Sequence, residues 1–373
     1  MKATLLLLST LAIGALLMEF GVRLLNLHEP LIWAPHAEFG WKPIPGAERL
    51  YTGEGYGQVK INSHGYRDRP RTVVKQAATT RIGIFGDSQT EAIQVHLDET
   101  YHYLLQEMLD TQSRPVEVLN FGVTGYSPAQ ILLTLQQEID RWDLDIIVVS
   151  FFLDNDVSGS IPKLSVSTTG TPFLVTGHTP VRFDYSRSEH SHREFFQEPK
   201  YTIRKYSGLY RFIFKLKNSF TRCGSNCSEQ PIPTRYALYL EQPPEIWHEA
   251  WQVFDETVLE IKRLADSKDK TLIFMSIPAG QTINRQAWDN ILAQHPAMRD
   301  ESWNLLSAEQ RFADFAQAHD ITLVTAASHF AEKAKTTQLH FGNVGHLTRE
   351  GHQEMANVAY PALSAAVIED YHQ

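Results

Sequence analysis

The chain has 373 residues, of which 43% are apolar, and a formal net charge of -9 at pH 7. This apolar content is sufficient for the core of a globular protein with one large or two small domains. The negative charge, together with the lack of any basic stripe in the sequence, argues against a nucleic-acid partner, which requires a basic face.

The amino terminus contains the one long apolar run of the sequence. Residues 3–18 carry no charge and follow Lys2, and as a helix they would span about 24 Å at roughly 1.5 Å per residue. Phe20 and Val22 would extend this run past Glu19 toward the ~30 Å of a hydrocarbon core. Residues 1–26 are therefore predicted to be an uncleaved inner-membrane anchor with the body on the periplasmic side. A cleaved signal segment, which would leave a periplasmic or secreted protein, is the alternative.

Two cysteines, Cys223 and Cys227, stand four positions apart in a polar stretch. In an exported protein this arrangement predicts a disulfide that closes a small loop. It does not favour a metal, because no further cysteine or histidine follows at ligand spacing, and it lacks the Cys-x-x-Cys spacing of redox motifs. Two free thiols without a structural or functional role are the alternative.

Residues 27–78 are rich in proline, glycine and aromatic residues without a sustained period, which predicts a loop-rich arm. Within this arm Asn62 and Gly65 suit a tight turn. Arg67 could contact a substrate anion, but we interpret it as a structural residue.

Strand and helix patterns alternate from residue 79 to residue 373, which indicates an α/β domain with a parallel sheet covered on both faces. The predicted strands are 81–85, 115–121, 145–152, 271–277 and 320–325, and the predicted helices are 98–112, 128–141, 246–267, 308–318 and 351–368. An insertion at about 157–245 interrupts this alternation, and connections of such length are usually functional. Its His190 and His192 are predicted to lie in a solvated loop, since no carboxylates are spaced to complete a metal site.

The strand predicted at 81–85 runs directly into Gly86-Asp87-Ser88. Glycine allows a sharp turn, and open α/β sheets place their sites at the carboxyl ends of strands. Ser88 is therefore a candidate nucleophile. The alternative is a capping box, in which Ser88 and Glu91 only satisfy the first amides of the next helix.

The Gly-Asp-Ser triplet resembles the first motif of the SGNH/GDSL hydrolase family, whose Ser, Gly, Asn and His stand in four ordered blocks. Three further matches follow in that order: Gly125 after the second strand, Asn155 after the third, and His346 near the end of the chain. Membrane-anchored bacterial members carry a stretch similar to residues 62–68. The resemblance implies a three-layer α/β/α sandwich with a five-stranded, flavodoxin-like parallel sheet in the order 2-1-3-4-5.

The resemblance also implies roles for the matching residues. Ser88 would attack a carboxylic ester, and His346 would act as general base and then as general acid. The backbone N–H groups of Ser88 and Gly125 and the side-chain amide of Asn155 would form the oxyanion hole. His352 is interpreted as a packing residue on the last helix.

The chain departs from the family pattern at two places. Leu153 stands where a glycine is usual, and Asn343 and Val344 occupy the two positions where the family carries its acid. Asn343 would orient His346 only if its carbonyl oxygen accepted from Nδ1–H. Another acceptor is the alternative.

These observations predict an envelope-anchored serine esterase that uses no metal and no organic cofactor. Its substrate would be a small-molecule or glycan ester, such as an acyl group on an envelope polysaccharide or lipid. An O-acetyltransferase of an exported polysaccharide is the first alternative, since it would use the same acyl-enzyme. A catalytically degenerate module that binds carbohydrate or lipid is the second.

Overall fold

A computed structural model describes residues 2–25, 27–110, 115–165, 170–197, 199–221 and 231–371. Helix α1 (Lys2–Leu24) contains 23 residues, and its apolar side chains are largely exposed, with Leu6 at 70% and Leu16 at 68%. By length and composition this helix is able to cross a membrane, although a signal sequence would pass the same test.

The arm that follows α1, which the sequence predicted to be loop-rich, contains two short antiparallel hairpins. Strand β1 (Trp33–His36) pairs with β2 (Gly40–Pro43), and β3 (Glu48–Tyr51) pairs with β4 (Gly57–Lys60). Each strand has only four residues, which is too short for a period of two to be recognised in the sequence.

The elements of the main domain follow in alternation. The first group is β5 (Thr80–Phe85), α2 (Ser88–Glu91), α3 (Tyr101–Leu109), β6 (Val116–Asn120), α4 (Pro128–Glu138), β7 (Ile146–Phe151) and α5 (Leu153–Gly159). The insertion contains β8 (Phe173–Val175), β9 (Arg182–Asp184), α6 (Ser186–Gln197), α7 (Pro199–Tyr206), α8 (Gly208–Thr221) and α9 (Thr234–Ala237). The last group is α10 (Ile246–Ser267), β10 (Thr271–Ser276), α11 (Gly280–Ile283), α12 (Arg285–Gln294), α13 (Ser307–Ala318), β11 (Leu323–Thr325), α14 (Ala327–Lys333) and α15 (Arg349–Tyr371). Short 3-10 turns lie at Leu97–Glu99 and Pro296–Asp300.

The central sheet has five parallel strands in the order β11-β10-β7-β5-β6. Counted along the chain, this is the order 2-1-3-4-5, so the predicted flavodoxin-like topology is confirmed. The strand order reverses between β5 and β7, and ligands of open α/β sheets bind at the carboxyl edge beside such a reversal.

Side chains of the buried strands alternate between two hydrophobic layers, as the period of a strand requires. Ile146 and Val148 of β7 belong to a core shared with α3, α14 and α15. Ile147 and Val149 belong to a core shared with α4, α10 and α13. The predicted three-layer α/β/α sandwich is therefore confirmed.

The stretch at residues 62–68 fixes the arm to the carboxyl edge of the sheet. Asn62 Oδ1 accepts from the backbone N–H groups of His64 and Tyr66, which forms the predicted turn. The Arg67 guanidinium is buried and donates to the backbone oxygens of Glu91, Ala92 and Val95 at 2.9, 2.7 and 2.6 Å. The structural interpretation of Arg67 is confirmed, because these bonds satisfy carbonyls at and after the end of α2.

The prediction of a loop at His190 and His192 was wrong, because both lie on α6. The Asp184 carboxylate accepts from the N–H of Ser186 at 2.9 Å and so satisfies an amide of the first turn of α6. His190 is exposed and lies 3.6 Å from Glu194, four residues further on. The predicted disulfide between Cys223 and Cys227 lies outside the described residues.

Candidate active site

Ser88 begins α2 directly beyond the carboxyl end of β5. Asp87 is the N-cap of α2, and its Oδ1 accepts from the N–H of Gln89 at 2.9 Å. A Cβ on Gly86 would lie 2.2 Å from Thr90 Oγ1, so only glycine fits this turn. The capping-box alternative was wrong, because Asp87 caps the helix and Ser88 is not needed for that purpose.

Glu91 connects α2 to the loop that contains Gly125. The buried Glu91 carboxylate accepts from the N–H of Thr124 at 2.6 Å and from Trp33 Nε1 at 3.2 Å. Gly125 has a φ of +77°, and a Cβ there would lie 3.2 Å from Cζ2 of Trp41. This position therefore favours glycine for both its backbone conformation and its close contact.

Asn155 lies in the first turn of α5, beyond the carboxyl end of β7. Its Nδ2 donates to Asp87 Oδ2 at 3.0 Å, which ties the third block of the sequence to the first. Burial raises the pKa of Asp87. Gly125 and Asn155 line the same cavity of about 340 Å³, together with Trp41 and Ser127.

His346 contacts Ser88, as the sequence predicted. Its Nε2 lies 2.9 Å from Ser88 Oγ, and its Nδ1 lies 2.5 Å from Oε2 of Glu54. The backbone N–H of His346 also donates to Glu54 Oε2 at 3.3 Å. A carboxylate can only accept, so a neutral imidazole here carries its proton on Nδ1 and leaves Nε2 free to accept from the serine hydroxyl.

The acceptor at His346 is Glu54, and the prediction that placed Asn343 there was wrong. Oδ1 of Asn343 accepts instead from Nδ2 of Asn290 at 3.3 Å. Glu54 lies at the tip of the β3–β4 hairpin. A Cβ on the adjacent Gly55 would lie 2.3 Å from the backbone oxygen of Gln94, so this glycine allows the tip to approach the site closely.

Sequence reasoning missed Glu54 because no motif surrounds it. Its one local signal is a carboxylate between two glycines, Gly53 and Gly55, in the arm. Burial raises the pKa of Glu54, but its hydrogen bonds with His346 and the charge of that ring outweigh this effect, and the net pKa is lowered. Glu54 is therefore ionised at neutral pH.

The final block and the helix after it are held to α2 and α3 by further contacts. The N–H of Leu347 donates to Oε1 of Gln89 at 3.0 Å, which fixes the residue next to His346. The ring of the buried His352 stacks on Tyr101 with 5.8 Å between ring centroids. The prediction that His352 is a packing residue is therefore confirmed.

The end of the insertion packs on the site through Asp154. Asp154 forms an ion pair with Arg235, and its Oδ1 accepts from Tyr239 Oη at 3.0 Å and from Gln281 Nε2 at 2.6 Å. Asp154 follows Leu153 at the start of α5, so these contacts hold the helix that carries Asn155. Within the described ranges, no group of three His, Cys, Asp or Glu residues is arranged to hold a metal ion.

Comparison with known proteins found no matching family model and no matching curated protein. Among solved structures, a member of the lipolytic G-D-S-L family from Veillonella parvula is 12% identical, with 76% of this chain and 98% of that chain covered and a TM-score of 0.38. A catalytic mutant of an acetylxylan esterase from Geobacillus stearothermophilus is 13% identical, with 79% and 96% covered and a TM-score of 0.39. A GDSL-like lipase from Bacteroides thetaiotaomicron is 10% identical, with 77% and 89% covered and a TM-score of 0.36.

We predict that His352 contributes to a loss of stability in acid. Burial lowers its pKa from 6.5 to about 3. As pH falls below 6.5, the unfolded chain therefore binds a proton at this histidine that the folded chain does not bind. Between pH 7 and pH 5 this difference should lower the free energy of unfolding by about 2 kcal/mol. Urea denaturation of wild type and His352→Phe at several pH values measures it.

The His352→Phe variant should show a shallower fall in stability with acid than wild type. Part of the fall should remain, because burial also lowers the pKa of His340, to about 4. His190→Phe, at an exposed position of α6, is the control and should leave the wild-type dependence intact. An unchanged pH dependence in His352→Phe would contradict the assignment.

Proposed function

We propose that this chain is a serine ester hydrolase of the SGNH/GDSL family. The observation that carries the proposal is the hydrogen-bonded series Ser88–His346–Glu54 at the carboxyl edge of a parallel sheet. A hydroxyl, an imidazole and a carboxylate in this order are the parts of an activated serine nucleophile. The order of the four sequence blocks supports the same family.

In the proposed reaction, Ser88 Oγ attacks the ester carbonyl carbon while His346 Nε2 takes the hydroxyl proton. The tetrahedral intermediate collapses when the bond to the alcohol oxygen breaks, and His346 returns the proton to that oxygen. Water then attacks the acyl-enzyme with His346 again as base, which releases the acid and restores Ser88. Glu54 holds Nδ1 protonated and stabilises the imidazolium that forms in each step.

The negative oxygen of each intermediate would be held by N–H groups of Ser88, Gly125 and Asn155. Asn155 is suited to this role because one N–H of its amide is engaged by Asp87, which orients the second. A neutral amide stabilises a developing charge without binding a charged product tightly. Asp87 is therefore a positioning residue in the proposed mechanism.

The cavity beside the oxyanion donors suits a short acyl group or a polar alcohol. Its volume is about 340 Å³, and its lining includes the hydroxyl side chains of Ser127, Ser158 and Thr171. Hydroxyl groups at fixed positions can bind the hydroxyls of a sugar. We therefore propose a carboxylic ester of a polar alcohol, on an envelope polysaccharide or lipid, as the substrate class.

Glu54 supports an active enzyme over a degenerate binding module, the alternative that rested on the missing acid before His346. An O-acetyltransferase remains the alternative within the same chemistry, since a sugar hydroxyl could replace water in the second half of the reaction. Release of free acid in the presence and absence of a sugar acceptor distinguishes the two, because a transferase would yield acylated sugar at the expense of free acid.

Labelling by a fluorophosphonate tests the proposed function. The probe should attach to Ser88 in the full-length protein, and peptide mass spectrometry should locate it there. Ser88→Ala should abolish both labelling and hydrolysis of p-nitrophenyl acetate. A folded protein that is not labelled at Ser88 and hydrolyses no ester would overturn the proposal.

We predict that Glu54→Gln lowers kcat by about 10²–10⁴. The amide adds no charge to stabilise imidazolium and can present an N–H that favours the wrong tautomer of His346. Asn343→Asp is the matched control and should change kcat little, because Asn343 contacts Asn290 and not the imidazole. A strong effect of Asn343→Asp with little effect of Glu54→Gln would reverse the assignment.

We predict that Asn155→Ala lowers kcat by about 10²–10³ and changes KM little, as expected when one oxyanion donor is lost. If Asn155 only holds Asp87 in place, thermal stability should fall while the turnover of folded enzyme stays near wild type. Measuring kcat, KM and the melting temperature on one preparation separates these roles.

We also propose that α1 remains attached as a membrane anchor and that the body lies outside the cytoplasmic membrane. The exposed apolar side chains of α1 support this proposal, since water does not favour such a surface. Intact mass after membrane extraction should correspond to the uncleaved chain. A mature form that begins near Ala15 would contradict the anchor and favour a signal peptide.

A further inference from the structure

A second and larger cavity lies beside the hairpin β1–β2 and the helices α6 and α8. Its volume is about 670 Å³, and Trp33, Trp41 and Phe214 contribute aromatic surface to its wall. This volume is in the range of sites for small molecules and cofactors. The proposed reaction at Ser88 assigns no role to this cavity.

Cationic side chains exceed carboxylates around the larger cavity. The positively charged lining residues are Arg49, Arg204, Arg211 and Lys215, and the negatively charged ones are Glu29 and Glu194. Glu29 is engaged by both Arg49 and Lys215, at 3.3 and 2.7 Å. In the part of the chain that the structure describes, neither Arg204 nor Arg211 forms an ion pair with a carboxylate.

Arg211 is held in place by contacts with backbone oxygens, which do not neutralise its positive charge. Its Nη1 donates to the backbone oxygens of Arg204 and Lys205 at 2.9 and 2.8 Å. Burial and the neighbouring Arg23 lower the pKa of Arg211, and the charge of Glu19 opposes this effect only in part. An anion in the cavity would stabilise the charged guanidinium.

The cavity lies close to the end of the proposed membrane anchor. The carboxylate of Glu19 in α1 accepts from the N–H groups of Gly208 and Leu209 at 2.7 and 2.9 Å, which caps the first turn of α8. Arg211 follows Gly208 by less than one turn of that helix, about 4.5 Å along the axis. If α1 is the membrane anchor, Arg211 lies near the membrane surface, where the available anions include lipid phosphates.

The same cavity adjoins the proposed catalytic site through Trp41. Trp41 lines both cavities, and its Nε1 donates to the backbone oxygen of Thr124, the residue before Gly125, at 3.0 Å. A molecule that fills the larger cavity would therefore contact the same tryptophan that holds the loop before Gly125.

We infer that the larger cavity binds the phosphate-bearing part of a lipid that carries the ester substrate. Guanidinium groups match phosphate oxygens in geometry and charge, and the aromatic wall would pack on the apolar part of the lipid. The inference rests on the proposed esterase function and specifies its substrate class: an ester carried by an anionic membrane lipid.

Binding to full-length Ser88→Ala in detergent micelles tests this inference without turnover. Three probes are compared: palmitoyl acetyl glycerol phosphate, the same lipid without phosphate, and acetyl glycerol phosphate without the palmitoyl chain. The phosphate-bearing lipid should bind about tenfold more tightly than either of the others. Equal affinity for the lipids with and without phosphate would overturn the role of phosphate. Equal affinity for the phosphates with and without the palmitoyl chain would overturn the role of the lipid.

Substitutions in the cavity make the test specific. Arg204→Gln and Arg211→Gln, each introduced with Ser88→Ala, should weaken binding of the phosphate-bearing lipid about tenfold and leave the neutral lipid unchanged. Arg285→Gln, at an exposed position of α12, is the matched control and should bind as before. Thermal melting identifies any variant that fails to fold, and Arg204→Gln keeps the test decisive if loss of Arg211 disturbs α7 and α8.

Kinetics then separate this inference from the proposed function. In the active enzyme, Arg204→Gln should raise KM for the phosphate-bearing lipid about tenfold and leave p-nitrophenyl acetate hydrolysis unchanged. Turnover of p-nitrophenyl acetate with no preference for the phosphate-bearing lipid would overturn the inference alone. Phosphate-dependent lipid binding without turnover of any ester would overturn the esterase and leave the binding site supported.

Discussion

The contact between Glu54 and His346 is the interaction on which the proposed site depends. It joins a hairpin of the arm to the loop before the last helix, across 292 positions of the chain. Without a carboxylate at Nδ1, nothing would hold the imidazole proton away from the nitrogen that faces Ser88. The hydrogen bonds with His346 also outweigh burial and lower the pKa of Glu54, so the charge that supports the ring is present at neutral pH.

The arm at residues 27–78 therefore has a structural role that its irregular sequence did not predict. Arg67 donates to the backbone oxygen of Glu91 at the end of α2. Trp33 donates to the Glu91 carboxylate, which also accepts from the N–H of Thr124, the residue before Gly125. Helix α2, the loop before Gly125 and the His346 imidazole therefore share contacts with the segment between α1 and the sheet.

Prediction from sequence succeeded where long stretches carry one repeated pattern. The helix at 246–267 was predicted with its observed bounds. Four of the five sheet strands were predicted to within one or two residues, because their sequences are largely apolar and mostly buried. It failed for the four-residue strands of the arm and for α6. The strands are too short to show a period, and α6 is so polar that the sequence resembled a loop.

The sequence by itself determined the order of the four blocks, and the family resemblance of those blocks predicted Ser88, Gly125, Asn155 and His346 as neighbours. Each follows a strand or precedes a helix in a locally recognisable way, and parallel strands bring their carboxyl ends to one edge. Only the tertiary structure decided that Glu54, and not Asn343, lies beside His346. A hydrogen bond between distant segments depends on how hairpin, loop and sheet pack in space, and a single carboxylate between two glycines carries no local pattern that encodes that packing.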